Sequence, residues 1–204
     1  MTRGRLIAFE GGEGIGKSTQ AERLACHLDA VLTREPGGTD VGERVRELLL
    51  DRAVSGLDAR AEALLMAAAR AHHVATVVRP ALDAGRDVVT DRYSHSSLAY
   101  QGHGRGLDLD ELRDLSTWAT AGLWPDVVVL LDVPGDEAAA RRDRNGQAPD
   151  RLEAEADDFH RRVVEGFHAL AADDPERWVV VDGTGDADAV AERVRAAVDA
   201  KLNS

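Results

Sequence analysis

The chain of 204 residues is long enough for one domain with a sizeable buried core. Its 37 acidic and 25 basic residues give a formal net charge of -12, which argues against sequence-independent binding to nucleic acid or to an anionic membrane. No apolar run approaches the roughly 20 residues that cross a bilayer, and the apolar part of the N-terminus is too short for a secretory signal, so we expect a cytoplasmic protein. Cys26 is the only cysteine, which excludes an intrachain disulfide and a cysteine-based metal site.

Five short apolar runs predict the strands of the fold. The runs are continuous rather than alternating, which is typical of strands that are covered on both faces. They span residues 6–9, 30–32, 88–90, 127–131 and 178–181.

Apolar residues at helical spacing fill the intervals between these runs, and each set predicts a helix with one apolar stripe. The sets fall at residues 21–28, 41–49, 64–78, 109–118, 159–170 and 190–198. The third set consists of Leu64, Ala68, Ala71, Ala75 and Val78. Strands that alternate with helices imply crossover connections, so we predict a single α/β domain, with a five-stranded parallel sheet and helices on both faces. In such sheets, ligands bind at the carboxyl ends of the strands.

A glycine-rich loop follows the first predicted strand. Residues 11–18 read Gly-Gly-Glu-Gly-Ile-Gly-Lys-Ser and match G-x-x-x-x-G-K-[ST] between a strand and a helix. Backbone N–H groups of such a loop surround a phosphate, Lys17 is expected to reach the β- and γ-phosphates of ATP, and the Ser18 hydroxyl is expected to hold Mg²⁺. The predicted ATP-binding residues are Gly11, Gly12, Glu13, Gly14, Ile15, Gly16, Lys17, Ser18 and Thr19. The alternative is a glycine-rich turn with an exposed lysine, and the motif alone does not separate kinases from GTPases and ATPases.

Charged residues close two further predicted strands at the same edge of the sheet. The segment Thr-Arg-Glu-Pro-Gly-Gly-Thr brings Arg34 to that edge, and Asp91 and Arg92 follow the third strand. An acid that closes a strand beside a phosphate loop commonly holds Mg²⁺. Asp91 is our candidate, because Arg92 beside it offers a bidentate phosphate donor. Asp132 closes the fourth strand and competes for this role; the alternative is that it only ends its strand.

A run of arginines predicts a basic lid at about residues 141–152. Arg141, Arg142, Arg144 and Arg151 lie on and around this segment. Phosphoryl transfer needs positive charge on the oxygens of the migrating group and the exclusion of water, and a closing basic lid provides both. The alternative is a solvated charge run, which the presence of a phosphate loop makes the weaker explanation.

Five segments together resemble the thymidylate kinase family, in order and over nearly the whole chain. They begin at Phe9, Thr33, Asp91, Ser96 and Asp150 and read Phe-Glu-Gly-Gly-Glu-Gly-Ile-Gly-Lys-Ser-Thr, Thr-Arg-Glu-Pro-Gly-Gly-Thr, Asp-Arg-Tyr, Ser-Ser-Leu-Ala-Tyr-Gln-Gly and Asp-Arg-Leu-Glu. The resemblance implies the P-loop nucleoside monophosphate kinase fold with a short lid, as one kinase domain over residues 1–204. It also implies ATP-dependent phosphorylation of dTMP to dTDP, with Mg²⁺, in dTTP synthesis. Members of the family are commonly homodimers, so the resemblance implies a homodimer as well.

The same resemblance implies how the acceptor nucleotide is held. Glu13 is expected to approach the sugar 3′-hydroxyl and the neighbouring phosphate of dTMP. Arg92 is expected to bind the acceptor phosphate, with Arg34 and Glu35 nearby.

The resemblance also implies a base-binding site. Arg70 is expected to bond to the thymine edge, Ser97 and Gln101 to line the site, and Tyr100 to crowd the sugar 2′ position. The alternatives are a solvated helix residue for Arg70 and an ordinary core tyrosine for Tyr100. Met66 stands where family members usually place a phenylalanine against thymine. Its polarizable sulfur can pack on an aromatic ring, and the alternative is that it only fills the core.

Within this family, a catalytic arginine lies either in the phosphate loop or in the lid. The phosphate loop of this chain carries Gly14 and no arginine, so the chain resembles the lid type. Arg144 and Arg151 are the candidates for stabilising the transferred charge, and Arg141 is the candidate for stacking on adenine.

Three other functions stay open at this point. Met66 leaves room for a different acceptor, such as dUMP or dCMP. A nucleotide-dependent switch of the GTPase kind is disfavoured, because no Asn-Lys-x-Asp segment occurs. A catalytically silent nucleotide-binding module is disfavoured as well, because every expected phosphate ligand is present.

Overall fold

The computed structural model describes residues 2–145 and 149–202, and the side chains of residues 142–145 lie outside that description. Within it, five parallel strands form one sheet in the order β2-β3-β1-β4-β5. The strands are β1 (Leu6–Glu10), β2 (Val31–Arg34), β3 (Val88–Asp91), β4 (Val127–Asp132) and β5 (Trp178–Asp182). The predicted fold class and the parallel pairing are confirmed.

Helices connect the strands. They are α1 (Lys17–Leu28), α2 (Asp40–Leu50), α3 (Ala59–His73), α4 (Arg79–Asp83), α5 (Ser94–Ser97), α6 (Leu109–Ala119), α7 (Gly135–Asn145), α8 (Asp157–Asp173) and α9 (Ala187–Leu202). Two π-helical segments continue them, Val74–Val78 between α3 and α4 and Leu98–Gly104 after α5. In the described part of the chain, no helix is long and apolar enough to span a membrane.

Alternate residues of the central strand β1 point into cores on opposite faces of the sheet. Ile7 and Phe9 pack in a core that includes apolar residues of α1 and α9. Leu6 and Ala8 pack in a core on the other face, with residues of the π-helical segment after α3. This two-sided burial explains why the central strands are apolar without alternation.

The prediction that all five strands are covered on both faces is wrong for β2 and β5. These two strands lie at the edges of the sheet; burial alternates along β2, and β5 combines buried with exposed residues. Leu32 in β2 is 46% exposed and Val180 in β5 is 54% exposed. The helices cover both faces only over the central strands, so each edge strand keeps one open face.

The predicted apolar stripe of the third helix lies mostly on its outer surface. Leu64 is 58% exposed, and Ala68 is exposed as well. The buried face of α3 instead carries the polar residues Glu62, Arg70 and His73. The expected orientation of this helix is therefore wrong at its N-terminal half, because its inner face lines a polar site.

Candidate active site

The phosphate loop lies between the carboxyl end of β1 and the start of α1. Gly11 and Gly16 adopt φ angles of 133° and 94°, in a region that residues with a side chain rarely occupy. At Gly11, an added Cβ would also come within 2.8 Å of the Leu131 carbonyl oxygen. Glycine at these positions therefore keeps the loop open at the N-terminus of α1, where backbone N–H groups and the helix dipole favour a phosphate.

Lys17 is the first residue of α1 and is buried beneath the loop. Its ammonium group donates to the Gly12 carbonyl oxygen. Burial and the nearby Arg92 lower the pKa of Lys17 from its ordinary value. A bound phosphate would stabilise the charged ammonium, so the lysine is placed to bind an anion.

Ser18 and Asp91 meet beside the loop. The register of β1 and β3 places Asp91 level with Phe9, and the Ser18 hydroxyl donates to Asp91 Oδ2 over 2.5 Å. The other carboxylate oxygen, Asp91 Oδ1, is buried and has no hydrogen-bond partner among the described residues. A buried carboxylate oxygen without a partner is unfavourable, so this position suits a cation. Asp132 lines a neighbouring groove, which shares Glu13 with this site, and it pairs with His168 at 3.3 Å.

The guanidinium of Arg92 contacts both the phosphate loop and the residues that follow β3. It lies 2.7 Å from Glu13 Oε1 and donates to the Gly11 carbonyl oxygen and to the Ser96 hydroxyl, at 3.0 and 3.1 Å. It also donates to the Tyr100 hydroxyl, which in turn donates to Glu13 over 2.6 Å. Burial alone would raise the pKa of Glu13, but Arg92 and Lys17 lower it to about 2. Glu13 is therefore ionised at any ordinary pH.

The backbone of Arg92 is strained. Its φ of 71° lies in the left-handed region, which costs a residue with a side chain about 1–2 kcal/mol. Its N–H donates to the Phe9 carbonyl oxygen over 2.9 Å, which holds the turn against the end of β1. Such strain persists where the surrounding structure fixes the backbone, and it is concentrated at functional sites.

Arg70 belongs to a buried polar network. Its Nε lies 2.6 Å from Glu35 Oε2, and its Nη2 donates to the Ser97 hydroxyl over 3.1 Å and to the Tyr93 carbonyl oxygen over 3.2 Å. His73 Nδ1 contacts the second Glu35 oxygen at 2.8 Å. Arg70 is 3% exposed, so the alternative of a solvated helix residue is wrong. Arg70 also lines a cavity.

Two cavities meet end to end at this site. The smaller, of about 110 Å³, contains Met66, Arg70, Ser97, Tyr100 and Gln101. The larger, of about 570 Å³, contains Lys17, Ser18, Thr19, Arg34, Asp91 and Arg141. Five residues line both cavities: Glu13, Glu35, Arg46, Arg92 and Glu153. The arrangement offers one mixed polar and apolar recess for a base and one polar recess for phosphates, with Arg92 and Glu13 at the junction.

The lid arginines are placed differently from one another. Arg141 borders the larger cavity and donates to the carbonyl oxygens of Ile15 and Gly183, at 3.2 and 2.9 Å. Arg151 borders neither cavity: it lies 2.6 Å from Glu62 Oε2 and donates to the Leu49 carbonyl oxygen over 2.7 Å. The side chain of Arg144 lies outside the described residues. The structure therefore brings Arg141 to the phosphate cavity and does not bring Arg151 there.

Glu62 connects the lid to the base cavity. This buried carboxylate accepts from Arg151, from Arg105 at 3.2 Å and from Gln101 Nε2 at 2.9 Å. The three donors lower the pKa of Glu62 against the effect of its burial. Gln101 lines the base cavity, so the position of a base-binding amide depends on the same carboxylate that holds the end of the lid.

Sequence reasoning missed several residues of this site, among them Glu10, Arg46 and Glu62. Glu10 is fully buried at the end of β1 and accepts from the Tyr93 and Ser96 N–H groups and from the Ser96 hydroxyl, so it fixes the turn that carries Arg92. An acid at the end of a buried strand was the signal used for Asp91, and it could have identified Glu10. Arg46 borders both cavities from the middle of a charged helix, and Glu62 lies on an alanine-rich helix, so neither carried such a signal.

Comparisons with known proteins agree on one family. The chain matches the family model for thymidylate kinase over residues 9–194. A thymidylate kinase of Clavibacter sepedonicus is 52% identical over 198 residues, which cover 95% of this chain and 93% of that protein. A thymidylate kinase of Leifsonia xyli subsp. xyli is 50% identical over 204 residues, with 98% and 96% covered. The crystal structure of a thymidylate kinase from Ehrlichia chaffeensis superimposes with a TM-score of 0.77 at 32% identity, covering 96% of this chain and 99% of that one.

We expect Glu10 to make the protein less stable as the pH rises from about 4.5 to about 7. Burial raises the pKa of Glu10 to about 7, although Arg92 and Ser96 act in the opposite direction, whereas in the unfolded chain the carboxyl keeps its ordinary value of 4.5. Between these values the unfolded state binds fewer protons than the folded state, so the free energy of unfolding falls with rising pH. Urea unfolding of the wild type and of Glu10→Gln, at both ends of this range, measures the effect.

We expect the free energy of unfolding of the wild type, minus that of Glu10→Gln, to decrease as the pH rises. Glu165→Gln, at an exposed position on α8, serves as the matched control, and the corresponding difference between the wild type and this variant should not change with pH. A difference that is the same at both pH values would contradict the assignment of the raised pKa to Glu10.

Proposed function

The chain belongs to the thymidylate kinase family, and from this premise we propose that it transfers the γ-phosphoryl group of ATP to the phosphate of dTMP, giving ADP and dTDP for dTTP synthesis. The observation that supports this most directly is the junction of the two cavities. A glycine-rich phosphate loop borders one of them, a buried arginine network borders the other, and Arg92 and Glu13 border both. A donor and an acceptor nucleotide placed in the two cavities would meet with their phosphates at this junction.

The reaction needs positioning rather than a general base. The second pKa of a phosphomonoester is about 6, so the acceptor phosphate is already anionic near neutral pH. In-line transfer then depends on aligning two negatively charged groups and neutralising them. Arg92 supplies a fixed positive charge at the junction, and Lys17 supplies one beneath the phosphate loop. Glu13 stays ionised, so we assign it an orienting role as an acceptor for the sugar hydroxyl and as the partner that holds Arg92.

Ser18 and Asp91 would hold Mg²⁺. The described residues contain no cluster of three or more His, Cys, Asp or Glu side chains that could bind a metal ion. A site with few protein ligands is nevertheless what Mg²⁺ prefers in kinases, since phosphate oxygens and water complete its coordination. The unpaired Asp91 Oδ1 beside the Ser18 hydroxyl fits this role. The ion would supply charge neutralisation of the nucleotide phosphates.

The base of the acceptor would lie in the smaller cavity. Arg70 and Gln101 both line this cavity, and each is held by a buried carboxylate, Arg70 by Glu35 and Gln101 by Glu62. Met66 is only half-buried and borders the same cavity, which favours contact with a base over the alternative of a core filler. Tyr100 donates to Glu13 next to Arg92, which supports its proposed position at the sugar.

The lid arginines have separate proposed roles. Arg141 borders the phosphate cavity and is fixed by backbone carbonyls near the phosphate loop, which supports its role in binding ATP. The roles of Arg144 and Arg151 in stabilising the transferred charge stay predictions. For Arg151, that role requires its guanidinium to leave Glu62, so the lid would have to rearrange when both nucleotides are bound.

We expect dTMP to be the best acceptor in a panel that also contains dUMP, dCMP and GMP, with ATP and Mg²⁺ in a coupled ADP-release assay. The dUMP ring lacks one methyl group, and such a difference in an apolar contact changes kcat/KM by roughly tenfold or more. Chelation of Mg²⁺ should stop turnover. A higher kcat/KM with dUMP or dCMP would assign a different acceptor, and the absence of turnover with every nucleotide would favour a silent binding module.

We expect Arg92→Ala to lower kcat by at least about a hundredfold, because it removes the charge at the junction of the two cavities. Lys17→Ala should lower kcat by a similar factor. Arg3→Ala is the matched control, since Arg3 pairs with Asp126 at the surface and should leave turnover unchanged. Circular dichroism confirms that each variant is folded, and near-normal kcat in a folded Arg92→Ala would refute the assignment of the acceptor site.

We also propose that the chain forms a homodimer through α2, α3 and α6. The helix α3 packs against both α2 and α6. Each of the three carries exposed apolar residues: Val41 and Leu48 on α2, Leu64 on α3, and Trp118, which is 82% exposed, on α6. Exposed apolar groups on neighbouring helices are more typical of a protein interface than of a solvated surface.

We expect Leu64→Glu to weaken dimerisation, because it places a charge in the proposed interface. Analytical ultracentrifugation should give the wild type twice the mass of one chain and should give the variant a larger monomer fraction at equal concentration. Val180→Glu introduces the same charge at an exposed valine on β5 and should leave the mass unchanged. A wild type that sediments as a monomer would contradict the proposal.

A further inference from the structure

A fully buried histidine contacts Glu35 but lines neither nucleotide cavity. His73 is the last residue of α3, three positions after Arg70, so the two side chains lie on the same face of the helix. Both imidazole nitrogens have hydrogen-bond partners, and both partners belong to the segment that ends β2 and follows it. The roles proposed so far for the site residues do not include this histidine.

The partners of the imidazole determine which of its nitrogens donates. Nδ1 lies 2.8 Å from Glu35 Oε1, and a carboxylate that is paired with Arg70 only accepts, so Nδ1 is the donor. Nε2 lies 2.6 Å from the Thr33 hydroxyl oxygen. Glu35 and Arg70 already balance each other's charge, so a neutral ring, whose Nε2 accepts from the Thr33 hydroxyl, adds no further buried charge.

The turn after β2 packs onto the same ring. At Gly38, an added Cβ would come within 3.0 Å of the Cδ2 and Nε2 atoms of His73 and within 2.7 Å of Thr33 Oγ1. Gly38 also has a φ of 74°, which a residue with a side chain rarely adopts. The orientation of the ring is therefore fixed by close packing as well as by its two hydrogen bonds.

Glu35 connects this fixed ring to the arginine of the base cavity. One carboxylate oxygen of Glu35 meets His73, and the other lies 2.6 Å from Arg70 Nε. Because a carboxylate is planar, holding one of its oxygens restricts the position of the other. Arg70 Nη2 donates to Ser97 and to Tyr93, which leaves Nη1 as the guanidinium nitrogen that donates to no described residue. The contact with Glu35 therefore helps to set the plane in which Nη1 lies.

On the basis of the function proposed above, we propose that His73 is a positioning residue of the acceptor site, which orients Arg70 through Glu35 and thereby raises the affinity for the pyrimidine base. His73 lines neither cavity, so it acts on the bound nucleotide only through these two residues. Its effect falls on binding of the acceptor and not on the transfer step, for which Arg92 and Lys17 supply the charge.

Two amide variants separate the roles of the two ring nitrogens. His73→Asn places an amide nitrogen where Nδ1 lies and keeps a donor for Glu35, whereas His73→Gln places its amide where Nε2 lies and removes that donor. Isothermal titration calorimetry with dTMP should give the Gln variant a Kd roughly tenfold above that of the wild type, the lower end for one lost hydrogen bond to a charged group. The Asn variant should keep most of the wild-type affinity for dTMP.

ATP is the control ligand, because a merely structural role of His73 would affect both nucleotides. A general loss of folded protein lowers the bound fraction for ATP and dTMP alike, whereas loss of positioning raises the Kd for dTMP alone. In turnover assays, the KM for dTMP should rise in His73→Gln while kcat at saturating dTMP stays near the wild-type value.

The outcomes separate this proposal from the proposed function. Equal affinity for dTMP in His73→Gln and the wild type, or equal weakening in the Gln and Asn variants, would overturn the positioning role and leave the proposed function in place. A wild type that does not bind dTMP would overturn both.

If His73→Gln does not fold, NMR of the wild type with ¹⁵N-labelled histidine gives the answer. The ring of His73 should carry its proton on Nδ1, and this N–H resonance should shift when dTMP is added, because engagement of Arg70 is transmitted through Glu35. A ring protonated only on Nε2, or a resonance that dTMP does not shift, would overturn the proposal.

Discussion

A guanidinium held at the junction of two cavities is the interaction on which the rest of the site depends. Removing a charge from water is costly unless it is paired and hydrogen-bonded. Arg92 meets this condition through Glu13, through the Tyr100 hydroxyl and through the carbonyl oxygen of Gly11. These partners come from the phosphate loop and from the π-helical segment after α5. The same contacts that stabilise the charge therefore fix the two halves of the site relative to each other before any nucleotide is bound.

The elements that the sequence predicts well are those in which local chemistry and fold agree. The glycine pattern of the phosphate loop needs a strand before it and a helix after it, and both are present. The register of the parallel strands then brings Arg34, Asp91 and Phe9 level with one another, so residues distant in sequence meet at one edge. The position of Asp91 and Arg92 at this edge could be inferred from the parallel direction of the strands, because parallel strands present their carboxyl ends at the same edge of the sheet.

The features that could not be predicted depend on what lies opposite a residue in the folded chain. An apolar stripe shows that one face of a helix avoids water, but it does not show whether the chain itself or a second molecule covers that face. On α3 the apolar Leu64 faces outward, while Glu62 and Arg70 face inward onto buried partners. Arg151 is a similar case, because a lid arginine can bind a phosphate or a protein carboxylate equally well by charge. Only the position of Glu62, far away in sequence, shows which of the two it meets in this structure.

The left-handed backbone of Arg92 is a local cost that the contacts of its own side chain offset. Glycine or asparagine would relax that backbone, but either would leave the carboxylate of Glu13 without its guanidinium partner, and the loss of one member of a largely buried ion pair costs more than the strain. A laboratory selection for heat resistance alone is therefore expected to retain arginine at this codon, although such a selection does not test turnover.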